Sequence, residues 1–366
     1  MERFLNFIKS QTFLILVLAI INLLVALFLV KTPLQLNGDL PSYLKAMDFL
    51  HGDLSIKDVE INRVLTSPLM LYGSIAFGFL FGSEQAGMLA VNILFYFLIV
   101  YVFYRIVELI YQNKKVALIA SILFFANYCM FNYGVTYRTD MGGWFFFLLT
   151  TLFAIKYYQS QLRNSRFLIY SVLAAAIGVL FKEYGALGMI SLGFLILFSK
   201  VAFKQKVKKI LISGALFIVI PFFYHLFIYL KFNYSYFDWY FYAFNIYIDS
   251  PETLESNYSI ILLIKVFGWV FLVGWPIFLY GLYQQWKNYD KQRIILLLSL
   301  LPASLAFLAW PALTQRIAFI FVPWLALVAG FGLGQIKNKY LIIIILLVYV
   351  LVNYLTRPWL LSAINL

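Results

Sequence analysis

The chain reads as an all-α protein, a polytopic transmembrane helical bundle of about eleven spans whose helical first outer loop lies on the membrane surface. Three observations predict this. Of 366 residues, 64% are hydrophobic and only 12% are charged, against roughly 25% charged in soluble domains. The apolar runs approach the ~20 residues that a helix needs to cross the hydrocarbon core. Backbone donors and acceptors in lipid must be satisfied within their own segment, so these runs are helices. The period-two alternation of a membrane barrel does not run through the chain.

Taken in order, the expected spans cover residues 12–30, 86–110, 116–133, 141–158, 167–181, 184–197, 210–230, 260–283, 294–310, 317–334 and 340–355. The first follows Arg3 and Lys9 and precedes Lys31-Thr32-Pro33, without a small-residue cleavage site, so it reads as a retained signal anchor. One further apolar stretch, Pro68–Phe81, decides the topology. If it crossed, the basic loop from Lys200 to Lys209 would lie outside. If it lies along the outer surface, Arg3, Lys9, Lys114, Lys115, Arg163, Arg166, the Lys200–Lys209 cluster, Lys287, Lys291, Arg293, Lys337 and Lys339 all fall inside, as the positive-inside rule requires. Only Glu2, Glu108 and Asp290 among the acids then lie near the cytoplasmic face. The expected location is a multi-pass cell membrane, with the N-terminus cytoplasmic and the acids outside.

The chain reads as one membrane domain over 1–366, with two exposed pieces, a first outer loop (31–67) and an aromatic-rich outer loop (231–259). The net charge of +13 follows from the flanking cations of the spans, so no nucleic-acid partner is expected. The single cysteine, Cys129, lies in an apolar run and excludes an intrachain disulfide. His51 and His225 do not stand at metal-ligand spacing with carboxylates or cysteine, so neither a metal nor a cofactor is expected. Asn233-Tyr234-Ser235 and Asn257-Tyr258-Ser259 match the short glycosylation acceptor pattern. The run Tyr234 to Tyr242 suits a membrane–water interface, or the stacking of sugar rings.

Five places could carry chemistry. Leu40, Tyr43, Leu44, Met47 and Leu50 recur at helical spacing, which predicts a surface helix ended by Gly52. Asp39 falls at its N-cap, either as a cap alone or as an ionised carboxylate able to accept a proton. Tyr137-Arg138-Thr139-Asp140 stands at the outer end of the third span, as a local ion pair or a functional acid. Lys182-Glu183 occupies the almost absent loop between the fifth and sixth spans. Consecutive side chains there are expected to point apart, leaving Lys182 for another anion. Arg63 precedes Pro68, and Arg316 follows Trp310-Pro311-Ala312-Leu313-Thr314-Gln315. Either cation can anchor a boundary or hold a lipid phosphate.

Read together, these motifs resemble the GT-C membrane glycosyltransferases that use polyprenyl-phosphate sugars, above all lipid A aminoarabinose transferases and protein O-mannosyltransferases. The similarity is collinear from about Gly38 to about Gly334. It rests on Asp39 with Tyr43, on Ala46 to Asp53, on Ser67-Pro68-Leu69 with Leu80-Phe81-Gly82, on Tyr137 to Asp140, on Gly178 to Gly185, and on Phe321 to Leu327. The chain departs at Leu40, where the family often has a second acid, and at Ser67, where some relatives place a lysine. The resemblance implies an inverting transfer of a sugar from a polyprenyl-phosphate donor to an acceptor hydroxyl. It implies Asp39 as the base and Asp140 as its catalytic partner. Lys182, Arg63, Arg316 and Arg138 are the implied phosphate ligands, and Tyr43 and Glu183 the residues that position sugar or acceptor. The alternative is a carrier or flippase for a lipid-linked sugar. The expected partners are the lipid-linked donor, an acceptor hydroxyl on lipid, glycan or protein, and membrane lipids.

Overall fold

The computed structural model describes residues 11–29, 39–53, 60–248, 260–309 and 315–355. Among these residues the protein is helical throughout, with no strand. The helices are α1 (Gln11–Leu29), α2 (Leu40–His51), α3 (Ile61–Thr66), α4 (Pro68–Phe81), α5 (Glu84–Tyr111), α6 (Lys114–Phe125), α7 (Asp140–Gln159), α8 (Ser165–Phe181), α9 (Gly188–Leu197), α10 (Phe203–Phe232) and α11 (Tyr236–Ile248). They continue with α12 (Ile260–Phe271), α13 (Gly274–Lys287), α14 (Lys291–Ser304), α15 (Gln315–Ala318), α16 (Val322–Gly334) and α17 (Lys339–Leu355).

Every run expected to span contains a helix, but several are broken. Among the described residues, helices long and apolar enough to cross a membrane are Glu84–Tyr111, Phe203–Phe232 and Arg316–Gly334, with a fourth span if the pair Leu263–Phe271 and Gly274–Lys287, bent by 83°, counts as one. The third run stops at Phe125 and resumes as a π-helical turn, Met130–Gly134. α4 is helical over the predicted bounds, with 14 residues. At 1.5 Å per residue it measures about 21 Å, short of the ~30 Å hydrocarbon core. The first outer loop forms the expected helix: α2 buries Leu40, Tyr43, Ala46 and Met47, and Gly52 closes it at φ +93° with its N–H on the last carbonyls. The second exposed piece holds α11, whose Phe237 and Phe241 are exposed.

The described residues form two compact units, 1–33 with 97–132 and 259–366, and 34–96 with 133–258. In the first, α16 is buried at every position but Trp324 and Gly334. A Cβ at Gly330 would lie 2.4 Å from Ala120, and one at Gly281 would lie 2.2 Å from the carbonyl of Val328. Glycine thus permits the backbone contact of α16 with α6 and α13. Where α6 breaks, buried side chains take over the freed backbone groups, as lipid demands. Tyr349 donates to Leu123 O at 2.8 Å, Cys129 N donates to Asn127 Oδ1 at 3.0 Å, and Tyr128 N donates to Asn353 Oδ1 at 3.0 Å.

The second unit is built on α7, which is mostly buried and packs against α8, α9 and the 3₁₀ turn Glu183–Leu187. Phe95, Phe146 and Phe181 meet with ring centroids 4.9 to 6.0 Å apart. His51 Nε2 lies 2.5 Å from Glu84 Oε1, tying the end of α2 to the start of α5. Tyr224 on α10 donates to Val64 O on α3 at 2.6 Å.

Candidate active site

Asp39 occupies the N-cap position of α2 but does not cap it. Its backbone is helical (φ −82°, ψ −22°) and its side chain makes no capping bond. A capping side chain needs an extended backbone to turn back toward the first free N–H groups. Asp39 instead accepts a hydrogen bond from Arg63 Nη2 at 3.0 Å.

Arg63 is the hub of this first cluster. Its Nε donates to Glu60 Oε2 at 3.1 Å, and Glu60 Oε1 accepts from Ser42 Oγ at 2.8 Å. The guanidinium carbon lies 4.9 Å from the centroid of the Tyr43 ring. Burial works against the Arg63 charge, but Tyr43, Asp39 and Glu60 together outweigh it and raise its pKa. Tyr43 is buried, and its hydroxyl lies 3.3 Å from Thr139 Oγ1. Thr139 immediately precedes Asp140, so Tyr43 joins the first acidic motif to the second.

Asp140 opens α7 and is fully buried, as is Thr139. The segment before it is held by Asn92, whose Nδ2 donates to Thr136 O at 2.6 Å and Arg138 O at 2.8 Å. The Arg138 guanidinium lies over the Tyr133 ring at 5.5 Å. Two glycines follow Asp140. A Cβ at Gly142 would stand 2.7 Å from the Phe181 ring, and one at Gly143 would stand 2.7 Å from Lys182 Cβ. Their bare backbone lets Phe181 and Lys182 lie against the first turn of α7, which Asp140 opens. Sequence reading missed this role; the visible signal is a Gly-Gly pair after the acid and before a run of aromatics.

Lys182 is extended (φ −170°, ψ 149°) between α8 and the 3₁₀ turn. Its Nζ lies 3.2 Å from Glu183 Oε2, with both side chains largely buried. The expected divergence of these neighbours is therefore corrected. The helix is broken at Lys182, and its four-carbon stem is long enough to reach back. Burial first, and then the Glu183 charge, raise the pKa of Tyr236 at the start of α11. The Tyr236 ring stacks on His225 at 5.6 Å, so aromatic side chains border Glu183.

Asp39, Tyr43, Arg63, Arg138, Asp140, Lys182 and Glu183 thus all fall in one compact unit. Arg316 lies in the other, on α15, and residues 310–314 before it are outside the described residues, as are Asn257 to Ser259 of the second glycosylation pattern. Among the described residues, no three His, Cys, Asp or Glu side chains converge on a common point. The unit holds a carboxylate hydrogen-bonded to a guanidinium, a second carboxylate excluded from solvent, and a lysine whose Cβ abuts the helix that carries that second carboxylate. That set can accept a proton and offset the charge of a departing anion.

The family model for dolichyl-phosphate-mannose-protein mannosyltransferase matches residues 66–225. That stretch holds Arg138, Asp140, Lys182 and Glu183 and begins after Asp39, Tyr43 and Arg63. No curated protein matches by sequence. Among solved structures, ArnT from Cupriavidus metallidurans in the apo state is similar with TM-score 0.62 and 14% identity, over 91% of this chain and 62% of its own. The Archaeoglobus fulgidus oligosaccharyltransferase in the apo form gives TM-score 0.60 and 13% identity, over 95% of this chain and 55% of its own. The oligosaccharyltransferase AglB from the same organism, in complex with an inhibitory peptide and a dolichol-phosphate, gives TM-score 0.55 and 12% identity, over 95% and 55%. This chain therefore spans little more than half the length of the structures it matches. The chain therefore shares its fold with these solved glycosyltransferase structures, and its match to the mannosyltransferase family model covers residues 66–225.

Proposed function

We propose that the chain is an inverting glycosyltransferase that moves a sugar from a polyprenyl-phosphate donor to an acceptor hydroxyl on the outer or lumenal face of the membrane. The observation that carries this reading is the chain of contacts Asp39–Arg63–Tyr43–Thr139, which links the first acidic motif to the residue before Asp140. Asp39 takes the acceptor proton as the hydroxyl oxygen attacks the anomeric carbon. The bond from that carbon to the phosphate oxygen breaks, and polyprenyl phosphate leaves as an anion. Lys182, Arg63 and Arg138 are the cations available in the same unit to stabilise it, while Asp140 orients the acceptor or supports the base. Tyr43 and Glu183 position the reacting groups. The bound dolichol-phosphate of the AglB structure is a lipid phosphate held by the same fold, which supports a donor of this kind.

The test is transfer from radiolabelled polyprenyl-phosphate sugars in membranes carrying the wild type or Asp39→Asn. Loss of a general base costs ~100-fold or more in rate, with donor binding retained. Near-wild-type transfer by the purified variant would refute the reading. Movement of the donor across the membrane without any new glycosidic bond would favour a carrier.

A further inference from the structure

We propose that Glu60 is a positioning residue that sets the basicity of Asp39 by sharing the Arg63 guanidinium with it. The consequence for catalysis rests on the transferase reading above; the electrostatic effect does not.

A guanidinium in contact with a carboxylate stabilises the anion, and by the same interaction makes it a weaker proton acceptor. Arg63 alone beside Asp39 would give a fully ionised but poor base. Arg63 is instead divided: Nη2 reaches Asp39 Oδ1 at 3.0 Å and Nε reaches Glu60 Oε2 at 3.1 Å. The guanidinium is one rigid plane, so a partner fixed at Nε also fixes the direction of Nη2. Glu60 is itself anchored, because its other oxygen accepts from Ser42 Oγ at 2.8 Å in the first turn of α2, three residues after Asp39. The cluster therefore carries two carboxylates on one guanidinium. The excess negative charge makes Asp39 hold a proton more firmly than it would beside Arg63 alone.

The other groups around Asp39 do not replace this effect. Tyr43 lies under the guanidinium with its hydroxyl at Thr139. α4 packs on α2 and carries no charged side chain, with Tyr72 its only titratable group. Asp140 stands beyond Thr139 at the start of α7. Glu60 is also the member that ordinary sequence reading passes over, since it precedes α3 and belongs to none of the recognisable motifs.

Glu60→Gln keeps the shape of the side chain and one accepting oxygen for Arg63 Nε while removing the charge, and its amide NH2 can donate to Ser42 Oγ in place of the bond that Glu60 accepts there. The readout is the ionisation midpoint of Asp39, followed by carbon NMR of detergent-solubilised full-length protein labelled at the aspartate carboxyl carbons, with the Asp39 signal assigned by its loss in Asp39→Asn. No substrate is needed. The midpoint is expected to move to lower pH in Glu60→Gln and to return toward the wild-type value in Glu60→Asp. The Glu60 side chain is 53% exposed, so the shift is partly screened and grows as ionic strength falls. In the transfer assay the acid limb of the pH profile moves the same way, and the plateau rate drops several-fold. A midpoint that stays in place or rises in Glu60→Gln overturns the proposal, whatever happens to the melting temperature. A midpoint that falls supports it. In that case, transfer surviving in Asp39→Asn would refute the catalytic reading of Asp39 and not the influence of Glu60.

Discussion

Replacing Gly143 with alanine isolates the packing that brings Lys182 to the helix carrying Asp140. The new Cβ would lie 2.7 Å from Lys182 Cβ and 3.3 Å from both Lys182 O and Tyr184 Cβ. Carbon atoms rest at ~3.5–4.0 Å, so α7 and the 182–184 turn must part by about 1 Å. Lys182 Cβ is bonded directly to the backbone, and no rotation of a side-chain end relieves the clash. Overpacking of this kind costs ~1–3 kcal/mol. If Lys182 faces the departing phosphate, a displacement of about 1 Å costs ~100-fold in rate. Gly193→Ala is the control, because the same change in α9 meets nothing within 4 Å. The assays are thermal unfolding in detergent and sugar transfer, run on both variants. If Gly143→Ala matches Gly193→Ala in both, the close approach of Lys182 to α7 is refuted. If it loses stability but keeps full turnover, the packing stands and the role of Lys182 in transfer falls.

Two other outcomes are expected. Lys182→Ala and Glu183→Ala each remove the charge that now lies 3.2 Å from the other, a loss that costs ~3–5 kcal/mol in a fully buried pair and less in this partly exposed one. The double variant should lose less than the sum, with a coupling of about 1 kcal/mol or more, and strictly additive losses in a double-mutant cycle would show the contact to be energetically idle. For topology, Lys206→Cys should resist an impermeant thiol reagent applied from outside while Asn257→Cys reacts with it, with the buried Cys129 silent as background. Labelling of position 206 from outside would reverse the assignment of faces.

The helical character of the chain was legible because lipid imposes it: an apolar run without a polar partner must satisfy its own backbone. The surface helix was legible from the spacing of Leu40, Tyr43 and Met47 and from Gly52, since a Cβ-free residue at positive φ is the common way to end a helix. The breaks were not legible. Hydropathy treats residues 116–133 as one apolar run, whereas the chain turns after Phe125, where Tyr349 and Asn353 supply bonds from elsewhere in the sequence. The candidate residues were found by their type and position at the ends of apolar runs. Their partners were not, because Arg63 meets Asp39 across 24 positions and Tyr43 meets Thr139 across 96.

The sequence by itself determined that this is a helical membrane protein, that its carboxylates gather at the ends of particular runs, and that those runs follow the order of a known glycosyltransferase fold. Composition and local periodicity suffice for the first two, since each reports on the solvent that surrounds a segment, while the third rests on the resemblance of motifs. Only the tertiary structure decided what each charge faces. It turned Asp39 from the end of its helix to Arg63, set Glu60 on the same guanidinium, paired Lys182 with Glu183, and used Gly142 and Gly143 to admit Phe181 and Lys182 to the helix of Asp140. Charges interact through space over a few ångströms, and the sequence fixes their order along the chain without fixing those distances.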